Sequence, residues 1–155
     1  MKKTIIQTSL VALGIFFTAA LLTGCGDKSS GPEAASSGAV DPMKDKGIGP
    51  VTSVTLGALD AAIAEKGKGI FVAKCTACHN TPDIDAKKIG PSLKGVTKRR
   101  TPEWIMNQVL NPSEMTQKDP IAKELLGTYI AQMANQNLTQ DDARSVLEYF
   151  RTNDK

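Results

Sequence analysis

Residues 75–79 read Cys-Thr-Ala-Cys-His, two cysteines separated by two residues and followed at once by the only histidine of the chain. A thioredoxin-like C-x-x-C pair would need a βαβ context, which the flanking sequence lacks. A structural zinc site would need four Cys or His ligands, and only Cys25 remains, far away in the N-terminal region. The C-x-x-C-H pattern is instead typical of covalent haem attachment.

The spacing of this motif suits that chemistry. The thiols of Cys75 and Cys78 would add to the two vinyl groups of the porphyrin, and two intervening residues let a helical turn place both sulfurs at adjacent ring edges. The next residue, His79, would then lie under the iron as an axial ligand. The motif therefore predicts one covalent haem c, with Cys75 and Cys78 as its attachment points and His79 as a metal ligand.

Composition agrees with a small domain that contains a buried cofactor. The chain has 155 residues, and only 5% of them are aromatic, so a core of aliphatic side chains alone would be thin. The formal charge is +3, of which Lys2 and Lys3 supply two units, so the rest is near neutral and nucleic-acid binding is not indicated. Three cysteines, an odd number, argue against a simple disulfide framework.

The N-terminus has the pattern of an export signal. Lys2 and Lys3 precede a mostly apolar run over 5–22, which ends in Leu22-Thr23-Gly24-Cys25. An uncleaved transmembrane helix is the alternative, since the run is near the lower length limit for spanning a bilayer. The Leu-x-Gly-Cys ending resembles the bacterial lipobox. That resemblance implies a signal peptide over 1–24 and a lipid on Cys25 that anchors the exported protein at the periplasmic face of a bacterial membrane.

The segment that follows is predicted to be a flexible tether. Residues 25–55 are rich in Ser, Gly, Pro and Ala and show no apolar periodicity, so they would bury too little surface to offset chain entropy. The predicted organisation is a signal peptide over 1–24, a lipid-anchored linker over 25–55 and a folded domain over 56–155.

Helix start signals divide the folded domain. Thr101-Pro102-Glu103 predicts a helix that runs to about Leu110, followed by a loop over 111–118. Asp119-Pro120 predicts the start of another helix. Thr139-Gln140-Asp141-Asp142 gives an N-cap and an acidic first turn to a C-terminal helix, in which Ala143, Val146, Leu147 and Phe150 form an apolar stripe.

From about Leu56 to Lys155 the sequence resembles the class I cytochrome c family. Gly67 and Phe71, one helical turn apart before the Cys motif, match a Gly and an aromatic residue of the family's N-terminal helix. The resemblance implies an all-α, cytochrome c-like bundle of about four to five short helices wrapped around one covalent haem c. It also implies that Gly67 and Phe71 meet Val146 and Tyr149 of the C-terminal helix.

Further site residues follow from the same resemblance. Gly90-Pro91-Ser92-Leu93 matches the family's Gly-Pro-x-Leu, which implies a hydrogen bond from the His79 ring to the Pro91 carbonyl. For Trp104, the only tryptophan, it implies an indole N–H donated to a haem propionate, with ordinary core packing as the alternative. The basic cluster Lys87, Lys88, Lys94, Lys98, Arg99 and Arg100 is either a solvated surface or a docking ring around an exposed haem edge.

The sixth ligand of the iron has several candidates. His79 is the only histidine, so bis-histidine ligation within the chain is excluded. Met106 falls in the predicted helix and Met115 in the predicted loop, where it is a real alternative, while methionine in general is most often core filler. In the family the ligand lies in a loop shortly before the C-terminal helix, commonly as Met-Pro. This implies Met133, although Ala134 follows it here.

Ligation by His79 and Met133 would fill both axial positions and leave no open site for a substrate, so no catalytic residue is predicted. The predicted function is a one-electron shuttle, not an enzyme, between a membrane quinol-oxidising donor and a terminal reductase or oxidase. The alternatives are a haem-based peroxidase or gas sensor, if the sixth ligand is absent or labile, and a fixed haem subunit of a larger redox complex.

Overall fold

A computed structural model describes residues 40–154. Within that range the chain forms five α-helices and one short 3₁₀ turn at Val96–Lys98, and it contains no strand. The helices are α1 (Ala61–Lys74), α2 (Pro102–Leu110), α3 (Pro112–Lys118), α4 (Pro120–Tyr129) and α5 (Gln140–Asn153). The prediction of an all-α fold with about four to five short helices is confirmed.

Two earlier expectations concern residues outside the described range, namely the signal peptide over 1–24 and the lipid on Cys25. Among residues 40–154, no helix combines the length and the apolar character needed to cross a membrane.

Capping residues set the helix ends as predicted. The Thr101 side chain accepts a hydrogen bond from Trp104 N at the start of α2, and Asp119 does the same for Ala122 N at the start of α4. Thr139 and Asp142 form a reciprocal capping box at the start of α5. Because caps act over three or four residues, local sequence was sufficient to place these ends.

Helices α1 and α5 cross at the glycine that the sequence singled out. A Cβ atom on Gly67 would lie 1.9 Å from the carbonyl oxygen of Ser145 and 2.9 Å from Val146 N, so the two backbones are in direct contact. One turn further on, the Phe71 ring lies 5.5 Å from that of Tyr149, centroid to centroid. The predicted meeting of α1 and α5 is confirmed, and it brings the end of α1, with Cys75 directly after it, against the core.

A buried carboxylate joins α5 to the chain before α1. Glu148 is fully buried, and Arg151 Nη1 lies 2.7 Å from it while Arg144 Nη2 pairs with its Oε1. The two guanidinium groups also donate to the carbonyl oxygens of Thr55 and Gly57, at 3.0 and 2.9 Å. Because the carboxylate has two cationic partners, its burial is compensated, and residues 55–57 are fixed on α5.

Residues 45–57, before α1, are folded against the helices, which corrects the predicted flexible linker over 25–55 for its last eleven residues, while its residues 25–39 lie outside the described range. Val51 is only 2% exposed, and its N–H and carbonyl oxygen are both bonded to the Asn107 side chain at 2.9 Å. Val54 N donates to Glu103 at 3.1 Å. We call residues 45–57 the strap. Its backbone is satisfied by side chains distant in sequence, so it needs no apolar periodicity of its own.

The predicted loop over 111–118 is also wrong, because Pro112–Lys118 is the helix α3. Pro112 occupies the first turn, where its fixed φ favours a helix. Glu114 and Lys118 form an i,i+4 ion pair along it. Asn111-Pro112 was therefore a start signal as well as a stop signal, and Met115 lies in a helix.

Replacing Asn107 with leucine is expected to destabilise the protein by about 3 kcal/mol, because it would leave buried backbone groups of the strap without partners. The Asn107 side chain is 1% exposed and bonds Val51 N, Val51 O and Lys46 O. Denaturant unfolding followed by circular dichroism measures the change. Gln117→Leu, at an exposed position on α3, is the matched control and should change stability little.

Candidate functional site

An apolar cavity opens beside the Cys-x-x-Cys-His motif. Its walls come from the end of α1, the loop over 89–93, one face of α2, the end of α4 and the loop before α5. Most of the lining side chains are apolar, among them Phe71, Leu93, Val96, Ile105, Val109, Leu125, Leu126, Val146 and Phe150. A cavity of this kind, with a few polar groups converging on it, is typical of a bound organic cofactor.

The two cysteines and the histidine lie on one helical turn that directly follows the C-terminal end of α1. Cys78 N and His79 N both bond to the carbonyl oxygen of Cys75, at 3.1 and 2.9 Å. Both thiols are free and both line the cavity. Burial, together with the neighbouring Cys78, raises the pKa of Cys75 to about 11, so its thiol stays protonated at neutral pH. The turn thus presents two thiols and an imidazole to the same cavity.

The His79 ring is held by a backbone carbonyl. Its Nδ1 lies 3.0 Å from Pro91 O, the contact implied by the Gly-Pro-x-Leu match. A carbonyl oxygen only accepts, so Nδ1 carries the proton and Nε2 keeps its lone pair. Burial lowers the pKa of His79, with the Pro91 contact opposing in part. The ring is therefore neutral at pH 7, which is the form that binds a metal.

Gly90 packs directly against this imidazole. A Cβ there would lie 2.4 Å from His79 Cε1 and 3.0 Å from Nδ1. The glycine is fixed by the bond from its own N–H to Cys78 O, at 2.9 Å. Gly90 therefore leaves space for the ring while Pro91 sets its orientation.

The change Gly90→Ala is expected to turn the His79 ring away from Pro91 and to destabilise the holoprotein by about 1–3 kcal/mol, as overpacking does. Denaturant unfolding monitored through the haem absorption measures the loss, and a lower reduction potential should accompany it. Gly127→Ala is the control, since its Cβ would meet nothing within 4 Å. Equal behaviour of the two variants would contradict the packing role of Gly90.

The structure separates the methionine candidates. Met133 lines the cavity, half-buried, in the loop before α5. Met115 is fully buried outside the cavity wall, and its sulfur accepts a hydrogen bond from Ile48 N of the strap at 2.9 Å. Met106 is likewise a core residue that does not line the cavity. Among the three, only Met133 faces the same space as His79.

Side-chain amides fasten the loop that carries Met133. Gln132 Nε2 lies 3.2 Å from Thr116 Oγ1 and 3.4 Å from Ser113 Oγ, both on α3. The backbone at each end of the loop is left-handed, with φ of 54° at Ile130 and 52° at Asn137. These turns reverse the chain between α4 and α5 and bring Met133 back over the cavity.

For Trp104 the structure favours core packing, one of the two alternatives that the sequence left open. Its ring lines the cavity, but its indole N–H donates to Asp119 Oδ1 at 3.2 Å and is not free for a propionate. Asp119 is 1% exposed, and burial raises its pKa. The Arg100 guanidinium lies 5.2 Å above the Trp104 ring centre. Trp104 is thus a wall residue that joins α2 to the start of α4.

The residues present fit a covalently attached haem. The cavity lining includes two thiols and a neutral imidazole after α1 and a thioether from the loop before α5, and most of the remaining side chains are apolar. Arg99 and Arg100 reach the same cavity, and they are the cationic groups suited to carboxylate substituents of the porphyrin.

Sequence reasoning missed Gln108, a polar side chain on the cavity face of α2. The sequence contains a weak indication of this position. Residues 104, 105, 108 and 109 share one face of the predicted helix, and Gln108 is the only one of them with a polar amide side chain. A polar residue on an otherwise apolar face could have identified it.

Comparison with known proteins agrees with this geometry. The family model described as Cytochrome c matches residues 64–154. A cytochrome c from Rhodothermus marinus has a similar structure, with a TM-score of 0.65 and 45% sequence identity over 68% of this chain and 90% of that one. An engineered cytochrome c from the same organism gives a TM-score of 0.64 and 44% identity over the same shares of the two chains.

A cytochrome c-553-like protein from Synechocystis sp. is 40% identical over 65 residues, which cover 40% of this chain and 59% of that relative. The match to that curated relative thus spans about three fifths of its length. Together with the family model over residues 64–154 and the thiol and imidazole geometry of the cavity, these likenesses place the chain in the cytochrome c family, whose members bind haem c covalently and carry electrons.

Proposed function

We propose that this protein is an exported, lipid-anchored electron carrier that takes single electrons from a membrane quinol-oxidising complex and delivers them to a terminal reductase or oxidase. The family implies redox protein partners in general. The observation that carries the proposal is that His79, which follows α1, and Met133, in the loop before α5, line the same apolar cavity. If these two side chains held the haem iron, no position would remain on it for a substrate.

Each residue has a simple task in this function. Cys75 and Cys78 bind the porphyrin covalently, so that it is not lost during repeated encounters. Pro91 fixes the His79 tautomer, and the Gln132 contacts with α3 fix the loop of Met133. The bound haem c supplies the one-electron couple, and a thioether ligand favours its ferrous state. Because these contacts hold His79 and Met133 in place, both side chains would keep their positions when the bound haem gains or loses an electron.

Docking is proposed to use basic side chains near the cavity. Lys74, Arg99 and Arg100 are among the residues that line it, and Lys87, Lys88, Lys94 and Lys98 lie in the segment that leads to α2. Long-range charge raises the encounter rate of partners and is screened by salt. The rate of electron transfer to an acidic redox partner should therefore fall as ionic strength rises, and a flat dependence would remove charge steering from the proposal.

Optical spectra of the purified holoprotein test the closed site. We expect a weak methionine-to-iron charge-transfer band at the red end of the oxidised spectrum, and no change of the reduced spectrum with carbon monoxide. A high-spin spectrum that responds to carbon monoxide would instead mean an open iron. The function would then be that of a peroxidase or gas sensor.

The anchor is proposed from the sequence around Cys25 and is tested separately. Cys25→Ser alone would also prevent removal of residues 1–24, so the variant replaces residues 1–25 by a signal peptide that is cleaved without a lipid, and it should move the protein from the membrane to the soluble periplasmic fraction with its haem spectrum intact. Retention of this variant in the membrane would favour a fixed place in a larger complex, and a wild-type protein that still begins at Met1 would favour an uncleaved N-terminal span. Co-purification of the variant with other redox subunits in constant proportion would single out the fixed complex.

A further inference from the structure

Two carboxyl side chains meet where the strap begins. Asp45 is the first residue of the strap, and Asp119 caps the start of α4. The Asp119 side chain is 1% exposed and is in hydrogen-bonding contact with that of Asp45. Trp104 lies beside them, since its indole N–H donates to Asp119 and a Cβ on Gly47 would lie 3.2 Å from its Cδ1. The strap, α2 and α4 thus converge on a pair of acids that the proposed function does not use.

The hydrogen bonds of this pair leave one oxygen without a donor. Asp119 Oδ1 accepts from Ala122 N at 2.7 Å and from Trp104 Nε1 at 3.2 Å. Asp45 Oδ1 accepts from Gly47 N at 2.8 Å. Asp45 Oδ2 is buried, and no N–H or hydroxyl group in the described part of the chain donates to it. Because ionised carboxylates only accept, a hydrogen bond between the two side chains requires a proton, and a protonated Asp119 would supply it.

The charges around the pair also favour one bound proton. Arg100 is close enough for its charge to act on both carboxyls, and it lies over the Trp104 ring. Glu124 acts on the same guanidinium from an exposed position of α4. Other charged groups of the strap, α2 and α3 are paired with one another, namely Lys46 with Glu103 and Lys118 with Glu114. One guanidinium can balance one carboxylate, so the second carboxyl is favoured in its protonated form.

From this geometry we propose that Asp45 and Asp119 share one proton, and that their hydrogen bond is a pH-sensitive latch that fastens the strap to α4 and to the Trp104 wall of the cavity. When the proton leaves to solvent, two carboxylates face each other in a buried place and repel. The strap then separates from the helices at Asp45 and Gly47, and the edge of Trp104 is uncovered. The latch goes beyond the proposed function and depends neither on the sixth ligand nor on the lipid anchor.

The direction of the pH dependence follows from linkage. Burial raises the pKa of Asp119 and the contact with Asp45 adds to the rise, while the bonds from Ala122 N and Trp104 Nε1 oppose it. In the open form the carboxyls separate, and the pKa returns toward the ordinary value of Asp, about 3.9. The latch therefore contributes its full stability below that value and loses it as the pH rises to the raised pKa. Over this window the opening equilibrium should grow by up to about tenfold per pH unit.

The test compares the wild-type holoprotein with Asp45→Asn. The asparagine keeps an oxygen for Gly47 N and places an amide nitrogen where Oδ2 stands, so it can donate to Asp119 at every pH. Asp41→Asn is the matched control. It removes a carboxylate four residues earlier in the chain, at an exposed position where Asp41 pairs with Lys44 at 3.3 Å.

Amide hydrogen exchange of the reduced holoprotein, followed by nuclear magnetic resonance from acidic to neutral pH, measures the latch directly. Protection is expressed relative to the intrinsic exchange rate at each pH, which removes the base catalysis of exchange itself. Gly47 and Val51, whose N–H groups bond to Asp45 and Asn107, report on the strap. Val146, buried in α5, reports on the rest of the fold.

In the wild-type protein we expect the protection of Gly47 and Val51 to fall by up to about tenfold per pH unit across the window, while that of Val146 changes less. Asp45→Asn should keep the protection of the strap constant and should be the more stable protein at the upper end of the range. Asp41→Asn should follow the wild type.

Two results would overturn the proposal. The same fall of strap protection in Asp45→Asn and in the wild type would show that the pair shares no proton. An equal fall at Val146 would show unfolding of the whole domain and not the opening of a latch. If Asp45→Asn did not fold, Asp119→Asn would make the same test from the other side, since its amide can donate to Asp45 Oδ2 and its oxygen can still cap α4. A pH-dependent strap in that variant would equally contradict the latch.

Discussion

Replacing Gly67 with alanine is expected to cost more than about 4 kcal/mol, a large part of the stability of a small domain. The added methyl carbon would stand 1.9 Å from the Ser145 carbonyl oxygen and 2.3 Å from its carbon. These are backbone atoms inside α5, so no side-chain rotation relieves the overlap. Helices α1 and α5 would have to separate, which opens the packing of Phe71 on Tyr149 and Phe150.

Gly69→Ala is the matched control for this prediction. It lies two residues along the same helix, and its Cβ would meet nothing within 4 Å. Because alanine is the better helix former, the control should gain about 0.5–1 kcal/mol. Denaturant unfolding of the holoprotein, followed by circular dichroism at equal haem content, compares the two. A loss below about 1 kcal/mol for Gly67→Ala would show that the crossing has room to adjust.

Local signals explain why the helices were predicted well. The N-terminal ends of α2, α4 and α5 are each set by a capping side chain and by a proline or an acidic residue in the first turn. A few neighbouring residues are therefore enough to predict where each helix begins. The motif at 75–79 is equally local, because one helical turn positions its two thiols and its imidazole.

Long-range pairing explains what was missed. The strap has the composition of a tether, yet it is ordered because Asn107 and Glu103 satisfy its backbone from α2, and Arg144 and Arg151 do so from α5. A sequence shows that these polar side chains exist but not which backbone groups they bond. The same holds for Trp104, whose indole N–H is bonded to the buried Asp119, fifteen residues further along the chain.

The choice between Met133 and Met115 as the sixth ligand depends on both local signals and long-range contacts. The family resemblance implied Met133, while the residues alone left Met115 open, since a loop was expected around it. The hydrogen bond from Ile48 to the Met115 sulfur depends on the strap and could not be foreseen. Once the strap is in place, Met115 has a structural partner and Met133 has a place in the cavity wall.

Met133→Ala is expected to remove the sixth ligand from the iron. The reduced holoprotein should then bind carbon monoxide, and the oxidised spectrum should lose its charge-transfer band. The potential should fall by on the order of 0.1 V or more, within the roughly 0.8 V that axial ligands span. Titration with a redox mediator and carbon monoxide difference spectra measure these changes. Stability should fall little, since Met133 is only half-buried.

Met115→Leu is the control that separates the two candidates. It keeps the volume of a fully buried side chain but removes the acceptor of Ile48 N, so it should lower stability by about 1–2 kcal/mol and leave the spectrum and potential unchanged. Met133→Ala should thus change the haem spectrum and the potential with little loss of stability, whereas Met115→Leu should lower the stability and leave the spectrum and the potential unchanged. If Met115→Leu lost the charge-transfer band while Met133→Ala kept it, the ligand would be Met115, and the strap would have to release its sulfur when the cofactor binds.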